Sequence, residues 1–168
     1  MPGPPGSASH VPSSSDFSSD QFNEEIVDNL NWALTRVPWG PLATPASMVG
    51  TVSTTTTVVD VGLSVTFTQT AGRRIKCTIR CIFYSTVAGD GIGVLLTDGS
   101  NNIIREFQIV GAAASVGDHR EMSWDESPAA GSITRKVRIY RWVGSGTVNA
   151  AATAERPAQL SVEDIGPA

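Results

Sequence analysis

Histidine, cysteine and carboxylate side chains are where chemistry would begin in this chain, and they offer few convergent sets. The two histidines are His10 and His119. Asp118, His119 and Glu121, in VGDHREMSW, could supply metal ligands or part of a Ser/His/Asp arrangement, but no metal-ligand spacing or nucleophile elbow accompanies them. A polar strand start on the surface is the plainer reading. Cys77 and Cys81 lie in the alternating segment IKCTIRCIF, where a strand rise of about 3.3 Å per residue separates them by ~13 Å. A disulfide needs Cα atoms within about 7 Å, so the two read as separate buried thiols. A zinc site would need both histidines beside them, and nothing in the pattern brings those together. GDGIG at 89–93 and GSG at 144–146 look like phosphate loops but lack the Lys-Ser/Thr pair and open no helix, so they read as hairpin turns. Asp90 and Asp98 could bind calcium, yet Asp-Gly is also the ordinary turn signal. The residues therefore predict a protein that is not an enzyme and carries no cofactor.

Charge narrows the partners. Twelve Lys and Arg against sixteen Asp and Glu give a net charge of -4, which argues against binding nucleic acid through general phosphate attraction. The imbalance is local: residues 1–36 hold Asp16, Asp20, Glu24, Glu25 and Asp28 against Arg36 alone, and the remainder is balanced. No apolar run approaches the roughly 20 residues that span a bilayer, and MPGPPGSASH lacks the basic start and apolar centre of a secretion signal. The expectation is a soluble protein made in the cytoplasm, without membrane insertion.

Four segments follow from the pattern. Residues 1–18 are rich in Pro, Gly and Ser and form an extended arm too poor in apolar side chains to fold alone. Residues 19–36 form an amphipathic helix, with Phe22, Ile26, Leu30 and Ala33 or Leu34 recurring at three- and four-residue spacing and acidic residues near its start. Val37-Pro38 ends it. Residues 37–50 read as a linker, and residues 51–168 as a β domain. Its clearest strands are RIKCTIRCIF, with Ile75, Cys77, Ile79, Cys81 and Phe83 on one face, and ITRKVRIYRW, with Ile133, Val137 and Ile139 opposite Lys136 and Arg138. Further candidates are TVSTTTTVV, LSVTFTQT, GIGVLLT, NIIREFQIV, HREMSW, GTVNAAATA and AQLSVEDI, separated by turn residues. Eight or nine short strands with no helix between them predict an all-β fold, an antiparallel jelly-roll-like β-sandwich preceded by the arm and one short α-helix.

The helix stripe has no counterpart to pack on within its own segment, and a helix of about four turns is marginal alone. Phe22, Ile26, Leu30 and Leu34, with Trp32 and Trp39, are the candidate docking or oligomer contacts. Trp39, between Pro38 and Gly40, reads as an anchor at the joint. Trp124 and Trp142 read as core or interface residues, with an aromatic sugar platform as the alternative; Trp142, ending a strong strand, reads as packed. Arg73, Arg74, Lys76 and Arg80 on one strand, and Arg135, Lys136, Arg138 and Arg141 on another, form either solvated sheet faces or an electrostatic contact for a neighbouring subunit's acidic arm.

A resemblance sharpens the functional reading. FNEEIVDNLNWAL resembles the W/FN…VRDNLNxL element near the start of many tailed-bacteriophage virion proteins, particularly those of phages infecting actinobacteria. AGRRIKCTIRCIFYS is similar to their AGRRYRI strand, and ERPAQLSVEDIGPA resembles the P-A-x-L-x-VEDIG ending of their β-rich tail and decoration proteins. The resemblance implies a virion structural protein of the capsid decoration or minor tail type, with a jelly-roll head, homotrimeric assembly and phage capsid or tail proteins as partners. Val27-Asp28 stands where the family often has Val-Arg. The missing fibre shaft, collagen-like repeat and long heptad array argue against a long distal fibre. Capsid decoration is therefore the favoured expectation, with a short tail fibre or a carbohydrate-binding adhesin for a host-surface glycan as the alternative.

Overall fold

The computed structural model describes residues 19–168. The expected arm of residues 1–18, His10 and the Phe22 side chain lie outside what it describes. Helix α1 runs Ser19–Arg36. Eleven strands follow: β1 (Gly40–Pro41), β2 (Ala46–Met48), β3 (Gly50–Thr54), β4 (Val59–Gln69), β5 (Arg73–Ser85), β6 (Gly91–Asp98), β7 (Ile103–Val110), β8 (Asp118–Glu126), β9 (Gly131–Val143), β10 (Val148–Ala152) and β11 (Ala158–Pro167).

The strands form two antiparallel sheets. One runs in the order β1-β11-β5-β10-β3, with β2 also on β11 and β8 on the other edge of β5. The second has the order β4-β9-β6-β7. In the first sheet β11 pairs with residues 73–80 of β5 and β10 with residues 82–85, so the two act as one interrupted ribbon. Along the far side of that ribbon, β1 and β2 pair with β11 while β3 pairs with β10, forming a second interrupted ribbon. Counted as eight ribbons in chain order, the sheets read first-eighth-third-sixth and second-seventh-fourth-fifth. That is the order of a jelly roll, two Greek keys folded onto each other.

Alternation builds the core. Ile75, Cys77, Ile79, Cys81 and Phe83 of β5 are all buried, facing Val61, Leu63, Val65 and Phe67 of β4, Ile92, Val94 and Leu96 of β6, and Val137 and Ile139 of β9. Each such side chain contributes about 1.5–3 kcal/mol by leaving water. Among the described residues no helix is long and apolar enough to cross a membrane.

Three local expectations are corrected. TVSTTTTVV is not one strand: the Thr54 hydroxyl donates to the Thr57 carbonyl at 2.6 Å and turns the chain between β3 and β4. Threonine suits strands and also closes turns with its hydroxyl, and here the second role wins locally. Residues 37–50 are not a plain linker, because β1 and β2 pair with the outer edge of β11. Trp142 is 41% exposed. It follows Tyr140 in phase, on the outward side of β9, whereas Val137 and Ile139 face the core.

Phe83 lies at the centre of this packing, with 1% of its surface exposed. Phe83→Ala is expected to destabilise the domain by about 3–5 kcal/mol. Arg80→Ala, which removes only an exposed ion pair with Glu121, should cost no more than about 1 kcal/mol. Urea unfolding monitored by tryptophan fluorescence checks both values.

Candidate functional site

From Glu24 to Pro38 every side chain except the half-buried Trp32 is exposed. The apolar stripe is in the open: Ile26, Leu30 and Leu34 retain 41%, 55% and 60% of their surface, and Val27 and Val37 are also exposed. Glu24, Glu25 and Asp28 share the same helix. A helix that leaves this much apolar surface in water is held by its end.

Arg73 supplies that hold. Its phase on β5 is that of Ile75 and Cys77, so the side chain points inward at the end of the sandwich and is buried. Its Nε donates to Asp164 Oδ2 at 2.5 Å, and Nη2 closes the fork on Asp164 Oδ1. The remaining donors reach past the sheet: Nη1 to the Thr35 carbonyl and Nη2 to the Val37 carbonyl, each at 2.6 Å. Carbonyls in the last turn of a helix have no partner within it and carry the negative end of its dipole. A guanidinium, planar with five donors, can serve a carboxylate and such carbonyls together.

Trp39 completes the joint. Its ring lies under the guanidinium at 4.0 Å, its indole N–H donates to the Leu34 carbonyl at 3.3 Å, and its backbone N–H donates to Asp164 at 3.2 Å. The Gly166 amide adds a further donor to Asp164 at 3.0 Å. These donors, with that of Arg73 foremost, hold the Asp164 carboxyl below the usual carboxylate range. The three segments that carried the resemblance, the DNLN helix, AGRR and VEDIG, thus meet at one point. A cleft of about 650 Å³ opens beside it, lined by Trp32, Arg36, Trp39, Thr70, Arg73 and Pro167. Arg36 stacks on Trp32 at 4.6 Å.

The proposed basic contact surface is not assembled. β5 and β9 belong to opposite sheets, so their outward faces look away from each other. Arg73 is committed to Asp164, and Arg74 donates to the Pro167 carbonyl. Arg80 pairs with Glu121 at 2.7 Å and Arg138 with Asp60 at 3.0 Å. Lys136 binds the Gly99 carbonyl and Asn101, and Lys76 is half-buried. Arg135 shares the inward phase of Val137; it is buried and binds Glu126 through two bonds of 2.7 and 2.8 Å.

The groups considered for chemistry are dispersed. Among the described residues, no three His, Cys, Asp or Glu side chains cluster as metal ligands. His119 is exposed on β8, next to an Arg120–Asp118 pair. Cys77 and Cys81 are free and buried; burial pushes the Cys81 thiol up to about 11 and drives Cys77, beside Glu126, upward as well. Such thiols are poor nucleophiles at neutral pH. Asp98 folds back on the Ser100 and Asn102 amides in its own turn. Asp90 is buried and occupied by protein donors, namely the Ser85 hydroxyl at 2.5 Å and the Ser145 and Gly146 amides at 3.0 and 2.9 Å. These bonds, that of Ser85 first, lower its carboxyl from the usual range. It ties two loops together, and its bonds are those of a structural carboxylate.

No protein-family model and no curated protein matches the chain. Solved structures resemble it distantly. The module TmCBM61, in complex with β-1,4-galactotriose, is 13% identical over 70% of this chain and 67% of its own, with a TM-score of 0.35. The VP2 subviral particle of infectious bursal disease virus is 10% identical over 74% of this chain and 37% of its own, with a TM-score of 0.39. The enzymatically active domain of bacteriophage CBA120 tailspike protein 4 is 12% identical over 73% of this chain and 19% of its own, with a TM-score of 0.29. This chain spans well under half the length of the two viral proteins.

Asp164 binds a proton less readily folded than unfolded, so its contribution to stability is complete above the ordinary carboxylate pKa of about 3.9. It is lost as pH falls through the lower folded value. Asp164→Asn leaves Arg73 buried without its counter-charge and is expected to cost about 3–5 kcal/mol at pH 7. The gap to the unmodified protein should narrow progressively below about pH 4. Urea unfolding repeated at descending pH checks this; a constant gap would refute the assignment.

Proposed function

We propose that this chain is a non-enzymatic structural protein of a bacteriophage particle, a capsid decoration protein anchored by its N-terminal arm and α1, with the jelly roll standing off the shell. The observation that carries the reading is the exposed stripe of Ile26, Leu30 and Leu34 on a helix whose end is fixed by Arg73, Asp164 and Trp39. An apolar surface held at a set angle suits a partner that is itself ordered. The sequence resemblance to tailed-phage virion proteins supplies the particle. Homotrimeric assembly at the attachment point belongs to the same proposal, because three copies can share the cost of burying the stripe.

The energetics are consistent with docking. Each stripe residue contributes about 1.5–3 kcal/mol when it leaves water, and fixing each further residue of a flexible arm costs about 1–2 kcal/mol. A helix already ordered by its clamp carries less of that cost than a free segment. The partner surface must then satisfy the arm.

Leu30→Asp is expected to leave the β domain folded, since Leu30 touches none of its core, and to abolish incorporation into particles. Quantitative immunoblotting of purified particles measures this, with circular dichroism of the isolated variant as the folding control. Normal amounts of variant in particles would refute the helix as the attachment device. Immunogold labelling confined to the tail would move the protein from the shell to the tail.

A further inference from the structure

The outward face of the second sheet is not an ordinary solvated surface. Ile92, Val94 and Leu96 of β6 point into the core, so Gly91, Gly93 and Leu95 lie on the outside. The register sets three cross-strand rows there: Val143–Gly91–Val110, Tyr140–Gly93–Gln108 and Arg138–Leu95–Glu106. The two glycines make room for rings. A Cβ at Gly93 would collide with three contiguous ring atoms of Tyr140, and one at Gly91 would collide with the indole of Trp142. Both aromatics are thus laid over the strand backbone, and Trp142 still presents 41% of its surface to water, beside Val143 at 44% and Val110 at 59%.

Polar groups stand directly next to this aromatic strip. Glu106 Oε1 accepts from the Tyr140 hydroxyl at 2.7 Å and from the Gln108 side-chain amide at 3.3 Å. Both bonds use the same oxygen, and among the described residues no bond is made to Oε2. Of the cations nearest in register, Arg138 is engaged with Asp60 and Arg141 with the Gly146 carbonyl, while the exposed Arg105 of β7 pairs in register with core-facing Leu96 and so has the opposite phase. Among the described residues, the outward rows therefore offer a carboxylate and an amide but no free cation, which disfavours an acidic ligand. The adjoining loops are held by Asp90 and by bonds between Gly111 and Asp90, Gly89 and Gly111, and Ser115 and Ser85. The platform is built before any ligand arrives.

We propose that this face binds a neutral glycan, with Trp142 stacking on the apolar side of a sugar ring and Gln108 and Glu106 bonding its hydroxyls. Rings with an apolar face and polar neighbours match a sugar, whose C–H groups and hydroxyls lie on different sides. The absence of a free cation selects against sialylated or phosphorylated sugars. The site is separate from α1, so it stands or falls independently of how the chain is anchored.

Calorimetric titration of the full chain with neutral gluco-, galacto- and manno-trisaccharides, and with a sialylated trisaccharide, tests the assignment. At least one neutral trisaccharide should bind, the sialylated one should bind less well, and Trp142→Ala should weaken binding by about tenfold or more. Gln108→Ala, at an exposed position, should weaken it severalfold with unchanged thermal stability, which guards against misfolding of the tryptophan variant. The proposal is overturned if no neutral trisaccharide binds, if the acidic one binds as well, if both variants bind normally, or if the face captures only a host-cell protein.

Discussion

Four hydrogen bonds from one guanidinium determine how the two parts of this protein meet. Arg73 is fixed along its edge by the carboxylate of Asp164 and on its face by the ring of Trp39, and what remains of its hydrogen-bonding capacity faces the end of α1. A charge buried at this depth is tolerated only when paired and hydrogen-bonded throughout. Lysine could not substitute, because an ammonium cannot present a flat fork to the carboxylate and still reach two carbonyls. Without this arrangement the helix would be tethered by a short peptide through Pro38 and would have no set direction.

Much of the fold was legible because the strands are long and their alternation is clean. β5, β9 and β11 could be read from period two alone, and jelly-roll topology followed from strand number and the lack of intervening helices. The same alternation, carried one step further, would have placed Arg73 and Arg135 inside and Trp142 outside. Buried arginines and an exposed tryptophan run against the usual link of charge with exposure and of size with burial, and strand phase decides all three. β1 and β2 were not legible: they are two and three residues long, and only the waiting edge of β11 makes them strands. Nor could any local pattern show that AGRR and VEDIG, roughly ninety residues apart, close on the end of the helix.

The two ends of the sandwich solve different problems with similar means. At the helix end, the Arg73–Asp164 and Arg135–Glu126 pairs sit where the core gives way to loops. At the opposite end a single carboxylate, Asp90, gathers amides and a hydroxyl. In each case a buried charge fixes irregular chain that has too few apolar side chains to pack. Rigidity at both ends would suit the proposed arrangement, in which the body is carried at one end and exposed at the other.

β11 is the last strand of the sandwich to leave the ribosome, yet it occupies the middle of its sheet and carries Asp164. The first sheet therefore cannot close, and the helix cannot acquire its bearing, until synthesis has passed almost every other element. A chain that is truncated or only partly folded displays the apolar stripe but not the angle. If α1 docks as proposed, its orientation would report completed folding, and a rigid receiving surface would admit finished subunits ahead of unfinished ones.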